Sequence, residues 1–287
     1  VSEASITRVT ATDGSPLAVH VLGAGRALVC VPGGPGRASA YLEDLAGLSQ
    51  SRRLIRIDMR GTGFSPLPDD RSSLAFPRLA DDVDDVRAAH DLEQFDLLAH
   101  SAGCLVAMVY AVRHPERVSR LVLVTPSARG FGQEPSDVPA IRAARRDEPW
   151  YAEVTALEAQ LAEIPEERRG RMDAGLRPYY YARWDERVQE HAARTDSQMS
   201  LRAMAAFVPP AEDLAALDLR GRLGALRVPT LVVVGKQDGL TGVQAGHTVA
   251  EAIPGARVAE LDDAGHFPWV DAPDHFRRTV LGFLDSR

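Results

Sequence analysis

The stretch ALVCV (27–31) is wholly apolar and ends in a run of glycine and proline. That is how a strand buried on both faces reads. Similar runs recur along the chain: RLIRIDM (53–59), FDLLAH (95–100), VSRLVLVTP (118–126), PTLVVVGKQD (229–238) and ARVAELDDAGH (256–266). Helix-like patterns separate them. An amphipathic helix is expected around Tyr41–Leu48. LADDVDDVRAAHDL (79–92) is a second, with acids gathered near its start, where the helix dipole favours them. AGCLVAMVYAVRHP (102–115) reads as a buried helix closed by Pro115, and the last helix spans Pro273–Leu284. Strands that are apolar on both faces need helices on both. The alternation therefore predicts an α/β fold with a mostly parallel central sheet. Only the first twenty-odd residues differ: ITRVTATDGSPLAVHVLGAG reads as an antiparallel hairpin turned at Asp13-Gly14.

One segment breaks the alternation. From about Ala128 to Asp213 no apolar strand run occurs, only charge-rich helical patterns such as EVTALEAQLAEI. It holds four of the six tyrosines (Tyr151, Tyr179, Tyr180, Tyr181) and two of the three tryptophans (Trp150, Trp184). The expected organisation is a core of residues 1–127 and 214–287, with 128–213 as an inserted helical cap. The 287 residues, 45% hydrophobic and 25% charged, are ample for one large core.

Net charge is −7, the opposite of a nucleic-acid footprint, so no nucleic-acid partner is expected. No apolar run approaches the roughly 18 residues of a membrane span. The first residues show neither a basic n-region nor an apolar h-region, so a cytoplasmic protein is expected. Cys30 and Cys104 both sit in apolar runs and read as buried reduced thiols. Two cysteines make no cysteine-rich zinc site, and no cofactor or metal is expected.

The chemistry gathers where strands end. In LLAHSAGCLVA (97–107), Ser101 stands between a strand run and a helix run, flanked by small residues. A nucleophile elbow needs that setting: a sharp strand-to-helix turn that lifts the serine oxygen clear of the sheet. Its pattern is Gly-x-Ser-x-Gly. Here Ala99 takes the first glycine's place and Gly103 keeps the second, and a plain helix N-cap is the alternative. VPGGPG (31–36) follows a buried strand and can supply a backbone amide to a developing oxyanion. The Ala102 amide would supply one donor and Gly34 the other, with Gly33 as the alternative. The spacing fits no phosphate cradle.

A serine hydroxyl needs a base, and the base an orienting acid. Of eight histidines, His266 closes LDDAGHFPW after the last strand run. His90, His114 and His191 lie in polar, helix-like contexts, His20 in the first hairpin, and His247 and His275 in later helices. His100 adjoins Ser101, and its side chain should diverge from it. Asp238 ends a buried strand in LVVVGKQDGLTG, where open α/β sheets place their sites. Asp262 and Asp263 are rivals but lie too close in sequence to His266. The order Ser101, Asp238, His266 is that of the α/β-hydrolase fold.

At this point the chain resembles the α/β-hydrolases, and more narrowly the proline iminopeptidase group. PGGPG (32–36) is similar to that group's His-Gly-Gly-Pro-Gly loop, with Pro32 in place of the histidine. DMRGTGFS (58–65) matches its Asp-x-Arg-Gly-x-Gly-x-Ser loop, in which Asp58 and Arg60 are expected to organise the turn. The elbow departs from the group: Ala-His-Ser-Ala-Gly stands where Gly-Gly-Ser-Trp-Gly is usual. In the group, cap glutamates hold the substrate's free amino group. Glu186 in RWDER is the nearest match, with Glu190 one turn on, and Trp184 and Tyr180 as aromatic neighbours. The resemblance implies hydrolysis of a small amide or ester through an acyl-enzyme, with an N-terminal aminoacyl or short peptide substrate first. The alternatives are a carboxylesterase, thioesterase or lactonase acting on a small metabolite, or a non-hydrolytic lyase or cyclase.

Overall fold

The computed structural model describes residues 5–131, 137–164 and 172–286. Eight strands form one sheet: β1 (Ser5–Thr10), β2 (Pro16–Leu22), β3 (Arg26–Val31), β4 (Arg52–Asp58), β5 (Phe95–His100), β6 (Val118–Val124), β7 (Thr230–Gly235) and β8 (Arg257–Leu261). Their spatial order is β1-β2-β4-β3-β5-β6-β7-β8. The first two pairings, β1 with β2 and β2 with β4, are antiparallel; the rest are parallel. The hairpin turns at Asp13-Gly14 as expected, and Gly14 takes φ +85° there. The mostly parallel α/β architecture is as the alternation predicts.

The strands divide their side chains by pleat. Val29 and Val31 face one hydrophobic cluster, Leu28 and Cys30 the other. Leu121 and Leu123 likewise oppose Val122 and Val124, and Val232 and Val234 oppose Leu231 and Val233. A period of two with both sets apolar is the mark of a strand covered on both faces. Each fully buried Val or Leu contributes roughly 1.5–3 kcal/mol. Helices α1 (Phe76–Ala89) and α2 (Gly103–Arg113) cover the first face. Between β6 and β7 the chain forms α3 (Val138–Ala143), α4 (Tyr151–Ala162), α5 (Glu186–Ala193), α6 (Thr195–Gln198), α7 (Leu201–Ala205), α8 (Ala211–Leu217) and α9 (Leu219–Leu223), with 3-10 turns at Arg129–Phe131 and Met172–Tyr180. None of its described residues joins the sheet. Residues 132–136 and 165–171 of the expected cap lie outside the described ones. Helix α10 (Gly242–Glu251) links β7 to β8, and α11 (Pro268–Asp271) and α12 (Pro273–Leu284) close the chain.

Two expectations need correction. Residues 41–48 form no α-helix. The segment makes 3-10 turns at Ser39–Leu42 and Leu48–Gln50, and Glu43, Leu45 and Ala46 between them take positive φ. Leu42, Leu45 and Leu48 are all fully buried. The buried face is kept without the α-helix: Leu42 and Leu48 sit in the two 3-10 turns, and Leu45 in the positive-φ link between them. The second correction concerns α1, whose first turn carries no acid because the helix begins three residues earlier, at Phe76. Its acids serve as ion-pair partners instead: Asp82 for Arg60, Asp81 for Arg113 and Asp84 for Arg87.

Candidate active site

Ser101 follows β5 and adopts φ +52°, a left-handed conformation unusual for a side-chain-bearing residue. Its amide donates to Val124 O of the neighbouring strand (2.9 Å), and Cys104 N closes the turn onto Ser101 O (3.0 Å). The turn needs close backbone approach. A Cβ on Gly103 would stand 2.3 Å from Pro32 O, and one on Gly33 would stand 2.6 Å from His100 O. Ala99 sits in the buried strand before the turn and keeps its methyl group without conflict. Cys30 and Cys104 are free and buried.

The structure brings Ser101, His266 and Asp238 together. His266 Nε2 lies 3.0 Å from Ser101 Oγ, and Nδ1 lies 2.8 Å from Asp238 Oδ2. An ionised carboxylate only accepts, so Nδ1 carries the imidazole proton and Nε2 is free to accept from the serine hydroxyl. Asp238 also accepts from Leu240 N (2.8 Å), Thr241 N (3.0 Å) and Thr241 Oγ1 (2.6 Å). Burial alone would raise its pKa. The electrostatic pull of His266 and the hydrogen bonds from His266 and Thr241 outweigh that and hold the carboxyl below its ordinary value. Asp262 and Asp263 point elsewhere: Asp262 pairs with Lys236 (2.7 Å), and Asp263 lies 3.6 Å from His275.

The proposed amide donors separate cleanly. Gly33 N donates to the Tyr41 hydroxyl (2.6 Å), so it is already engaged. Among the described residues, the amides of Gly34 and Ala102 donate to no protein acceptor. One of these amides lies in the loop after β3 and the other directly before α2, next to Ser101 in sequence.

Several residues at the site had no signal in the sequence. His100 diverges from Ser101 as expected, but its ring packs 4.7 Å from that of His266. Its Nε2 lies 2.9 Å from His266 O and its Nδ1 lies 2.7 Å from Tyr41 Oη. A carbonyl only accepts, so Nε2 bears the proton, Nδ1 accepts from Tyr41, and Tyr41 accepts from Gly33. One chain of donors thus joins the loop after β3, the elbow and the His266 turn. Burial, followed by the neighbouring His266, keeps His100 well below the ordinary histidine pKa, in keeping with this neutral tautomer. Thr241 has a local signature in hindsight, a hydroxyl three residues after the acid.

The segment Tyr179–Ala182 is the other surprise. His266 N donates to Tyr180 O (2.7 Å), and Gly239 N donates to Tyr179 O (3.0 Å). Buried Asp271 then joins both sides: its Oδ2 accepts from Gly265 N (2.8 Å) and Ala182 N (3.1 Å). Tyr180 therefore meets the site through its backbone. Trp184 packs on Tyr181, with ring centres 5.9 Å apart. Glu186 and Glu190 are exposed on α5 and touch none of the three central residues. His191, expected in a polar context, is buried: it lies 2.8 Å from Tyr181 Oη and 3.0 Å from Tyr41 O.

The 58–65 loop is held as its residues suggest, though Asp58 and Arg60 do not pair with each other. Asp58 accepts from Ser39 N and Oγ (both 2.8 Å) and Phe64 N (3.0 Å), with His20 Nε2 at 2.9 Å. Gly63 is required because a Cβ there would meet Asp58 Oδ2 at 2.1 Å. Arg60 binds Asp82 through Nε and Nη2 and also reaches Asp13.

A sheet of this order, with a Ser-His-Asp constellation on the loops after β5, β7 and β8, defines an α/β-hydrolase. The family model described as alpha/beta hydrolase fold matches residues 26–273, and the chain belongs to that family. It is similar to a 2-hydroxymuconate semialdehyde hydrolase of Pseudomonas putida, 31% identical over 264 residues, 88% of this chain and 82% of that one. It is 26% identical to a pimeloyl-[acyl-carrier protein] methyl ester esterase of Chromobacterium violaceum, over 94% of this chain and 99% of the other. A solved proline iminopeptidase of Mycobacterium smegmatis superposes with a TM-score of 0.75 at 23% identity, over 98% of this chain and 97% of that one, a likeness of fold. No helix among the described residues is long and apolar enough to cross a membrane.

Proposed function

We propose that this protein is a serine hydrolase that cleaves a small ester or amide through an acyl-enzyme. The observation that carries the reading is the unbroken chain Ser101 Oγ, His266, Asp238, set beside two unengaged amides. In this mechanism His266 Nε2 takes the Ser101 proton as the oxygen attacks the acyl carbon. Asp238 orients the ring and stabilises the imidazolium. The Gly34 and Ala102 amides hold the oxyanion. His266 then returns the proton to the leaving group, and water releases the acyl group by the same route. Residues 128–213 act as the cap over this centre.

The named relatives, a semialdehyde hydrolase and a methyl ester esterase, favour a small acyl substrate over a peptide. An aminopeptidase needs an acid at the substrate's ammonium group. Glu186 and Glu190, the candidates for that role, are exposed on α5, and the residue directly after the 32–36 loop is a buried cation, Arg37. Ser101→Ala should lower kcat by at least about 10³-fold, in line with triad deletions. A fluorophosphonate probe should label Ser101 in the unaltered protein. Near-native turnover in Ser101→Ala, or a label on another residue, would overturn the assignment. Parallel assays with 4-nitrophenyl butyrate and prolyl 4-nitroanilide divide esterase from aminopeptidase, and turnover of the ester alone is the expected result.

A further inference from the structure

Arg37 directly follows the 32–36 loop and is only 4% exposed. A buried guanidinium costs several kcal/mol unless an anion or a full set of hydrogen bonds compensates. Two other buried arginines, Arg60 and Arg145, meet that condition, whereas Arg56 reaches only the Glu43 carbonyl among the described residues. Arg60 is held by Asp82 and Asp13, and Arg145 by Glu148 and the Tyr181 carbonyl. Arg37 is not compensated in this way. Its Nε donates to Gln198 Oε1 (3.0 Å). Its Nη2 is buried without a hydrogen-bond partner among the described residues. No carboxylate there pairs with it.

Its neighbours deepen the imbalance. The guanidinium carbon lies 4.1 Å from the centre of the Tyr41 ring and 5.6 Å from that of Phe267. Ring faces attract a cation by about 0.5–2 kcal/mol, which does not replace an anion. Arg177 and Arg194 add positive charge nearby, each already engaged with its own acid, Asp196 and Glu43. The place is also informative. Tyr41, under the guanidinium, binds Gly33 N, one residue from the free Gly34 amide. Phe267 follows His266, and their ring centres are 5.1 Å apart. The uncompensated cation therefore stands one aromatic ring behind the candidate oxyanion loop and base.

We propose that Arg37 anchors a carboxylate on the acyl portion of the substrate, so that the protein prefers small acyl esters or amides carrying a second, free carboxylate. This rests on the serine hydrolase reading above. A guanidinium is a planar fork that matches a carboxylate in bidentate fashion, and the Nη2 of Arg37 is open to one. The bound anion would also supply Arg37 with the acid that Arg177 and Arg194 already have. Gln198, the polar group on the guanidinium among the described residues, belongs to the segment between β6 and β7, so Arg37 stands where that segment meets the core.

The test compares monomethyl succinate with methyl butyrate, two esters of equal acyl length that differ in the free carboxylate. The unaltered protein should show kcat/KM for monomethyl succinate at least about tenfold above methyl butyrate. Arg37→Met should lower the succinate value by about 30-fold or more and leave the butyrate value within about threefold. Arg37→Lys, which keeps the charge and loses the fork, should fall between them and guards against a folding defect in the first variant. Equal losses on both esters would assign Arg37 a structural role and overturn the proposal. A binding arm separates this question from catalysis. Ser101→Ala protein, titrated calorimetrically, should bind monomethyl succinate at millimolar concentration or below, and the Arg37→Met double variant should not. Absence of that binding, or equal binding of inorganic phosphate with no preference for the succinate ester, overturns the carboxylate assignment whatever the esterase result. Failure of the hydrolase reading looks different: neither ester turns over and the probe leaves Ser101 unlabelled, while the binding arm still reports on Arg37.

Discussion

The most informative side chain after Ser101 is Tyr41, because its hydroxyl serves two masters. It accepts from Gly33 N and donates to His100 Nδ1, and His100 in turn donates to His266 O. Removing that one oxygen strands a buried donor and a buried acceptor, and each unsatisfied group costs about 1–3 kcal/mol. Tyr41→Phe should therefore lower stability by about 2 kcal/mol or more, measured by urea unfolding. It should also reduce kcat more than it changes KM, since the loop bearing the Gly34 amide loses its tether. Unchanged kcat with full stability would remove Tyr41 from the positioning of this loop. None of this could be read from the chain. Ser101, Asp238 and His266 are legible because each ends a strand run in a recognisable order. Tyr41 lies 60 positions before Ser101, in a segment whose local pattern promises only an amphipathic helix. Its partnership with His100 depends on β3 and β5 being neighbours, which is a property of the sheet and not of either stretch.

At the scale of elements, the elbow shows why a motif can lose a letter and survive. The two small positions are unequal. Gly103 faces Pro32 O across a gap that admits no Cβ, whereas Ala99 lies within β5 and its methyl group is already accommodated. Gly103→Ala should thus push α2 away from the loop after β3, with kcat reduced about tenfold or more, a displacement of the kind that costs catalysis heavily. Ala99→Gly should leave kcat unchanged and cost only about 0.5–1 kcal/mol, the usual price of glycine in a strand. Steady-state kinetics and urea unfolding of both variants check this contrast, and equal effects would contradict it. The strand set was legible for a simple reason: apolar runs covered on both faces leave little choice. The 39–50 connection was not, because a buried spacing of three and a buried spacing near 3.6 look alike over eight residues. The backbone there is decided by Gly47 and by three neighbours at positive φ, a cost repaid by packing against the sheet that no local pattern records.

Across the whole molecule, the segment between β6 and β7 is sewn to the core by two buried ionisable groups with opposite pH responses. His191 on α5 bonds the Tyr41 carbonyl. Burial, the largest cause, together with nearby arginines lowers its pKa from 6.5 to about 4, against the pull of that hydrogen bond. Asp271 joins Ala182 to Gly265, and burial raises its pKa from 3.8 to about 6 despite those two hydrogen bonds. Between pH 6.5 and 4 the unfolded chain takes up a proton at residue 191 that the folded chain refuses, so His191 costs stability as pH falls. Over nearly the same window the folded chain takes up a proton at Asp271 that the unfolded chain does not hold, so Asp271 adds stability as pH falls. Each pKa displacement amounts to about 3 kcal/mol, and the two largely cancel. Single variants should separate them. Measured against the unaltered protein by urea unfolding, His191→Gln should gain about 2–3 kcal/mol on going from pH 7 to 4.5, and Asp271→Asn should lose about 2 kcal/mol over the same change. Both differences should vanish in slope above pH 7.5, where neither group titrates in either state. Parallel curves for all three proteins would mean that the two groups titrate alike in the folded and unfolded chain, and would remove them from this balance.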